Sequence, residues 1–262
     1  MYRWLFLLMG CFTFAMAQPP RHFRHFTEKD GLSDNRVQAV LRDRRGFVWV
    51  GTANGLNRYD GYDFKHYFPD RQHPQRSVCS ESIEDLAQDT AGHIWIATNN
   101  GLNRLDPTTG MFRTWNNVGR EDGSLPNPIV WNLYFDRLQR LWLACDNRDL
   151  CRYDPIADKF VTYPWRAYVL QSQPQTPSNA YLTIYRVQPK SDHELWLLTN
   201  VGFFSFDWER ERFQVHPFPA TMMPATTASN CPDASLFGTW DQDIARYDAC
   251  ADQWTQIALP LP

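Results

Sequence analysis

The chain has 262 residues, 26 Lys and Arg against 29 Asp and Glu, a formal charge of -3, and 43% hydrophobic and 15% aromatic residues. That composition supports a buried core and argues against a disordered chain. Without a basic block it also argues against a nucleic-acid groove or a membrane-binding basic face, because phosphate affinity draws on clustered Lys and Arg.

Residues 1–17 read as a secretory signal. Arg3 supplies the positive start, residues 4–16 are apolar apart from Gly10 and Thr13, and Ala15-Met16-Ala17 has the small-x-small cleavage pattern. The mature chain is expected to begin at Gln18. A lipoprotein box at Leu8-Met9-Gly10-Cys11 is the weaker reading, since only six apolar residues precede it and Met sits poorly two positions before Cys. No later apolar run approaches the roughly twenty residues of a membrane helix, so no span is expected in the mature chain. Export permits disulfides, and Cys79, Cys145, Cys151, Cys231 and Cys250 remain. Cys145 and Cys151 flank the turn 146–150 and could bond across a hairpin; two unbonded thiols are the equal alternative.

From residue 21 onward the chain is a tandem repeat. FVWVGTANGLNRYD (47–60) returns as HIWIATNNGLNRLD (93–106), RLWLACDNRDLCRYD (140–154), ELWLLTNVGFFSFD (194–207) and, worn, SLFGTWDQDIARYD (235–248). The aromatic anchors Trp49, Trp95, Trp142, Trp196 and Phe237 stand 46, 47, 54 and 41 residues apart. Each is followed 11 or 12 residues later by an Asp: Asp60, Asp106, Asp154, Asp207 and Asp248. The units run over about 21–67, 68–116, 117–164, 165–217 and 218–258, within one domain of residues 18–262.

Each unit reads as four strands. In the first these are 37–43, 47–52, 56–60 and 64–67, separated by Asp43-Arg44-Arg45-Gly46, Ala53-Asn54-Gly55 and a turn at Asp60-Gly61. Helical spacing appears nowhere convincingly. The second strand is apolar throughout (Val48-Trp49-Val50, Ile94-Trp95-Ile96, Leu141-Trp142-Leu143), which implies burial on both faces. Trp49, Trp95 and Trp142 each share a face with a small residue two positions on, Gly51, Ala97 and Ala144, which is read as room for the indole. Four-stranded repeats of this length predict an all-β fold, a β-propeller of about five stacked blades. The repeated Asp residues, entering turns after the third strand, are read as structural, because a catalytic carboxylate is not needed once per blade.

These residues resemble the two-component regulator propeller repeat. The pattern is carried by Gly31-Leu32-Ser33 with Val37, then Asp43, Gly46, Trp49, Gly51, Thr52, Gly55, Leu56 and Asp60, then Phe64 and Tyr67, with a second copy over 89–115. In the third copy Cys145 replaces Thr and Asp149 stands in the Gly position. The resemblance implies the periplasmic sensor region of hybrid sensor histidine kinases of the Bacteroidetes type, many of which respond to oligosaccharides and dimerise at full length. Nothing here resembles a phosphoacceptor His box, an ATP lid or a receiver Asp, so the chain is expected to bind and not to act as an enzyme. Phe23-Arg24-His25-Phe26 matches Phe64-Lys65-His66-Tyr67 and suggests an orphan fourth strand. One strand plus five units falls short of a seven-bladed ring by roughly eighty residues, which predicts the front part of such a ring, with a shrunken five-bladed ring as the alternative.

Ligands meet propellers on loops or at the central channel. The longest connections, 115–128 and 164–178, hold Trp115, Asn117 and Arg120, and Trp165, Arg166 and Tyr168. Their aromatic faces and donors suit a small glycan, although Trp115 also fills the repeat's closing aromatic slot. His22 with His25 and His66 with His73 lack a third ligand, so neither a metal nor a cofactor is expected. Two other functions remain open: a secreted glycan-active hydrolase or lyase, and a protein-binding scaffold.

Overall fold

The computed structural model describes residues 24–116 and 123–216, and the backbone of 236–240, 243–248 and 253–257. The first sheet takes β1 (Val37–Arg42), β2 (Val48–Thr52), β3 (Gly55–Tyr59) and β4 (Phe64–Tyr67) in chain order. The second repeats it with β5 (Ile83–Gln88), β6 (Ile94–Thr98), β7 (Gly101–Asp106) and β8 (Met111–Trp115). β9 (Val130–Phe135), β10 (Leu141–Cys145), β11 (Leu150–Asp154) and β12 (Lys159–Tyr163) form the third. A helix, α1 (Trp165–Ser172), precedes the fourth sheet of β13 (Ile184–Pro189), β14 (Glu194–Thr199), β15 (Gly202–Asp207) and β16 (Arg212–His216). The described part of the fifth sheet is β17 (Leu236–Trp240), β18 (Asp243–Asp248) and β19 (Gln253–Ile257). Phe237 and Asp248 lie on β17 and β18. All neighbours are antiparallel, and β1, β5, β9 and β13 pack against one another in succession, which makes the first strand the innermost in each of the first four sheets. This is a β-propeller, with the apolar faces of successive blades closing on one another.

The indoles sit in those closures. Trp49 and Trp142 are fully buried, and Trp95 and Trp196 nearly so. Trp49 packs in one cluster with Ile83, Ile94, Ile96 and Phe112 of the next blade, and Trp142 with Ile184, Leu195, Leu197 and Phe206. Gly51, two positions on from Trp49, faces the next blade's inner strand and not the indole. A Cβ on Gly51 would come within 2.6 Å of Ile83 Cγ2 and 3.4 Å of the Ile83 carbonyl oxygen, so Gly51 admits the inner strand of the neighbouring blade. Gly51→Ala should therefore cost about 1–3 kcal/mol by overpacking. Adding Ile83→Ala, which removes the Cγ2 that the new methyl meets, should cost less on top of Gly51→Ala than in the unaltered chain, as urea denaturation would show.

Two expectations are corrected. Residues 24–26 form no strand; Phe26 instead lies edge-on against Tyr59 and Phe64, with ring centroids 5.0 and 5.6 Å away, and covers the outer part of the first blade. Phe23 lies outside the described residues. The segment after Pro164 is helical, although the chain shows no convincing helical spacing there. Only Trp165 and Val169, one helical turn apart, are buried on it, and both enter the core between the third and fourth blades.

Candidate functional site

The repeat's carboxylates hold turns. Asp60 Oδ1 accepts from the backbone N–H of Tyr62 and Asp63, Asp106 Oδ1 from Thr108 and Thr109, Asp154 Oδ1 from Ile156 and Ala157, and Asp207 Oδ1 from Glu209 and Arg210. A second series, six residues before the indole, has a role the strand pattern alone did not reveal. Asp43, Asp89 and Asp136 accept from Trp49, Trp95 and Trp142 Nε1 at 2.8, 2.9 and 3.0 Å while their other oxygen holds the turn's N–H groups. The signal was present in the D-x-x-G-x-x-W spacing of the first two units, where Gln139 takes the Gly place in the third: a carboxylate at a turn is placed to reach the indole that follows.

The residues expected to meet a ligand divide. Trp115 stacks on Trp95 (5.2 Å, 11°), lies under Arg113 at 4.7 Å and donates to Asp158 Oδ1 at 3.2 Å. Trp165 is fully buried, edge-on to Phe204 at 5.7 Å, so its ring faces belong to the core. Arg166 donates to Asn147 Oδ1 and to the carbonyls of Ser178 and Ala180, and its backbone N–H to Asp149. Tyr168 borders a cavity of about 710 Å³ with Gln171, Arg210, Arg212 and Gln214, along the outer strand of the fourth blade. Asn117 and Arg120 lie outside the described residues, as do His22, Cys231 and Cys250. The Cys145 and Cys151 thiols are free and fully buried; burial, then the hydrogen bond from one to the other, pushes the Cys151 thiol well above its usual value. They stand where the first two blades carry Thr52 with Asn57 and Thr98 with Asn103.

A different group stands at the heads of the inner strands, which succeed one another from blade to blade. Every inner strand opens with a β-bulge, and the extra residue is Gln38, Glu84, Trp131 or Tyr185 in successive blades. Bulges leave one residue out of the ladder and re-aim its side chain. Gln38 Nε2 donates to Glu84 Oε2 at 3.0 Å and Ser82 Oγ to Glu84 Oε1 at 2.7 Å. Trp131 Nε1 donates to Asp146 Oδ1 at 3.0 Å, and Thr183 Oγ1 and the Tyr181 hydroxyl donate to that same oxygen. Tyr181 is 49% exposed, and burial followed by the neighbouring Asp146 raises its phenol above the ordinary value. Asp146 Oδ2 takes no hydrogen bond among the described residues. The sequence pattern missed this group because a bulge belongs to a pair of strands and cannot be read from one.

Behind it, Asp85 ties three blades together. It accepts from Asn132 Nδ2 at 2.5 Å and Leu133 N at 2.9 Å, and Asn132 Oδ1 accepts from Val187 N at 2.8 Å. Burial raises the Asp85 carboxyl above its usual range, with the backbone N–H groups of Leu133 and Leu86 and the Arg186 charge opposing it. The turn carboxylates Asp60 and Asp106 are held below theirs by backbone and threonine donors. The signs are opposite. Stability linked to Asp85 is full below about 3.9 and is lost as pH rises through the folded value; that linked to Asp60 and Asp106 is full above about 3.9 and is lost as pH falls through theirs. Carboxyl ¹³C titration should place Asp85 above and Asp60 and Asp106 below the ordinary carboxylate value, and an Asp85 midpoint at or below that value would contradict the buried belt.

Residues 31–54 and 77–100 each match the family model of the two component regulator propeller. Histidine kinase P4 of Formosa agariphila is 45% identical over 56 residues, 21% of this chain and 4% of that protein. The extracellular domain of a hybrid two component system of B. thetaiotaomicron, BT3049, superposes with a TM-score of 0.75 at 20% identity over 88% of this chain. Virginiamycin B lyase of Staphylococcus aureus does so with a TM-score of 0.61 at 15% identity, over 87% of this chain and 71% of the lyase. The chain thus spans 31% of the Bacteroides domain and a small fraction of the curated kinase. Among the described residues no helix is long and apolar enough to cross a membrane.

Proposed function

We propose, from the premise that two blades carry two component regulator propeller repeats, that the chain is the ligand-sensing propeller of an extracytoplasmic two-component sensor, and that its ligand is an oligosaccharide. The observation that carries the ligand class is the pairing of Trp131 and Tyr181, one half-buried and one exposed, on a single Asp146 oxygen at the head of the inner strand β9. Sugar rings present apolar CH faces to aromatic rings and hydroxyl edges to carboxylates and amides. Residues 1–17 then act as the export signal, and the exported chain begins at Gln18 in the periplasm.

The fold by itself leaves the chemistry open, since propellers host enzymes and binding modules alike. The test is calorimetry of the full exported chain against a polysaccharide-derived panel, with mass spectrometry of both partners. The expected result is saturable binding with saccharide masses unchanged and a protein N-terminus at Gln18. Shortened or unsaturated products would establish a hydrolase or lyase instead, and a stable protein partner with no saccharide retained would establish a scaffold.

A further inference from the structure

The channel mouth breaks the repeat at the positions that form it. Equivalent to Asp146 in the turn after the second strand are Ala53, Asn99 and Asn200, and equivalent to Trp131 are Gln38, Glu84 and Tyr185. A residue needed to build a blade recurs in every blade, as Trp49, Trp95, Trp142 and Trp196 do; Trp131 and Asp146 occur once. Their hydrogen bond, and the one from Tyr181, tether both rings at their polar edges, while Tyr181 stays 49% exposed. Such pre-organisation lowers the ordering cost of binding. The carboxylate acceptors are Asp146 Oδ2 and Glu84, whose two oxygens take Gln38 Nε2 and Ser82 Oγ with lone pairs to spare. Of the nearby cations, Arg166 donates to Asn147 and two backbone carbonyls, Arg148 Nε donates to the Pro126 carbonyl, and the Arg186 charge acts on the buried Asp85.

We infer that this mouth is the sensor's saccharide subsite, with Trp131, Tyr181 and Tyr185 as stacking faces and Asp146 and Glu84 as hydroxyl acceptors, and that it takes uncharged or amino sugars and rejects uronates and sulfated sugars. Two fixed carboxylates attract hydroxyl and ammonium donors and repel a second anion, so the same groups that bind also discriminate. The inference rests on the oligosaccharide reading and names its class.

Calorimetry of the full chain should use neutral oligosaccharides of glucose, mannose, galactose and N-acetylglucosamine, a chitosan oligosaccharide, an oligogalacturonate and a sulfated oligosaccharide. A neutral or amino member should bind, and the uronate and sulfated members should not. Trp131→Ala and Tyr181→Ala should each weaken binding about tenfold or more, whereas Tyr168→Ala, at the outer cavity, should leave it unchanged. Trp131→Phe and Asp146→Asn test the same contacts with less disturbance; the first should weaken binding less than Ala does, and the second should ease exclusion of the uronate. Uronate or sulfate binding to the unaltered chain, or neutral binding indifferent to both Trp131→Ala and Tyr181→Ala, would overturn the subsite while leaving oligosaccharide sensing intact. Silence across the whole panel would overturn both.

Discussion

Asp136→Ala should lower the stability of the chain by about 2–4 kcal/mol, the cost of leaving two backbone donors, a buried indole N–H and a partly buried guanidinium without their acceptor. Asp136 is 2% exposed and accepts four hydrogen bonds: from Leu138 N, Arg140 N, Arg140 Nε at 2.6 Å and Trp142 Nε1 at 3.0 Å. Alanine strands two backbone donors, the indole N–H and a guanidinium whose Nη2 is already buried without a partner. Against a total stability of about 5–15 kcal/mol, that is a large fraction. Asp136→Asn keeps the shape and one acceptor and should cost less. Urea denaturation followed by fluorescence measures both, and a loss below about 1 kcal/mol for the alanine variant would show that the carboxylate is not the clasp described.

Trp142→Ala should be comparably severe, at about 3–5 kcal/mol. The indole is fully buried and meets Tyr163, Phe206 and Trp208 with centroids 5.4, 5.9 and 6.0 Å away, so truncation opens a void between the third and fourth blades. Trp142→Phe refills much of that space and forfeits the bond to Asp136. Because the two residues share one contact, Asp136→Ala should cost measurably less in the Trp142→Phe chain than in the unaltered one. Strict additivity of the two changes would contradict the contact.

Much of this fold could be read from spacing. The step from each anchor Trp to its Asp contains one hairpin, and its near-constant length leaves little freedom in where the second and third strands lie; β2, β6, β10 and β14 fall where the apolar triplets stand. What escaped depends on partners. The Phe23-Arg24-His25-Phe26 match reproduces side chains of β4, but a strand also needs an edge to pair with, and Phe26 spends its ring on the Tyr59 and Phe64 rings instead. α1 escaped because two buried residues one turn apart make too short a period to register. The candidate site was the least legible. Trp165 is buried in the core and Trp115 packs against it, which aromatic residues in long connections do not reveal, and only the bulge in β9 sets Trp131 out of the ladder.

Hydrogen exchange with mass spectrometry on the full chain, with and without a bound neutral oligosaccharide, reads the ring and its mouth together. Slowed exchange is predicted in 37–42, 83–88, 130–148 and 181–187, four stretches far apart in sequence that meet only if the inner strands line one channel. Slowed exchange confined to 164–172 and 210–214, or to a single blade, would contradict that account.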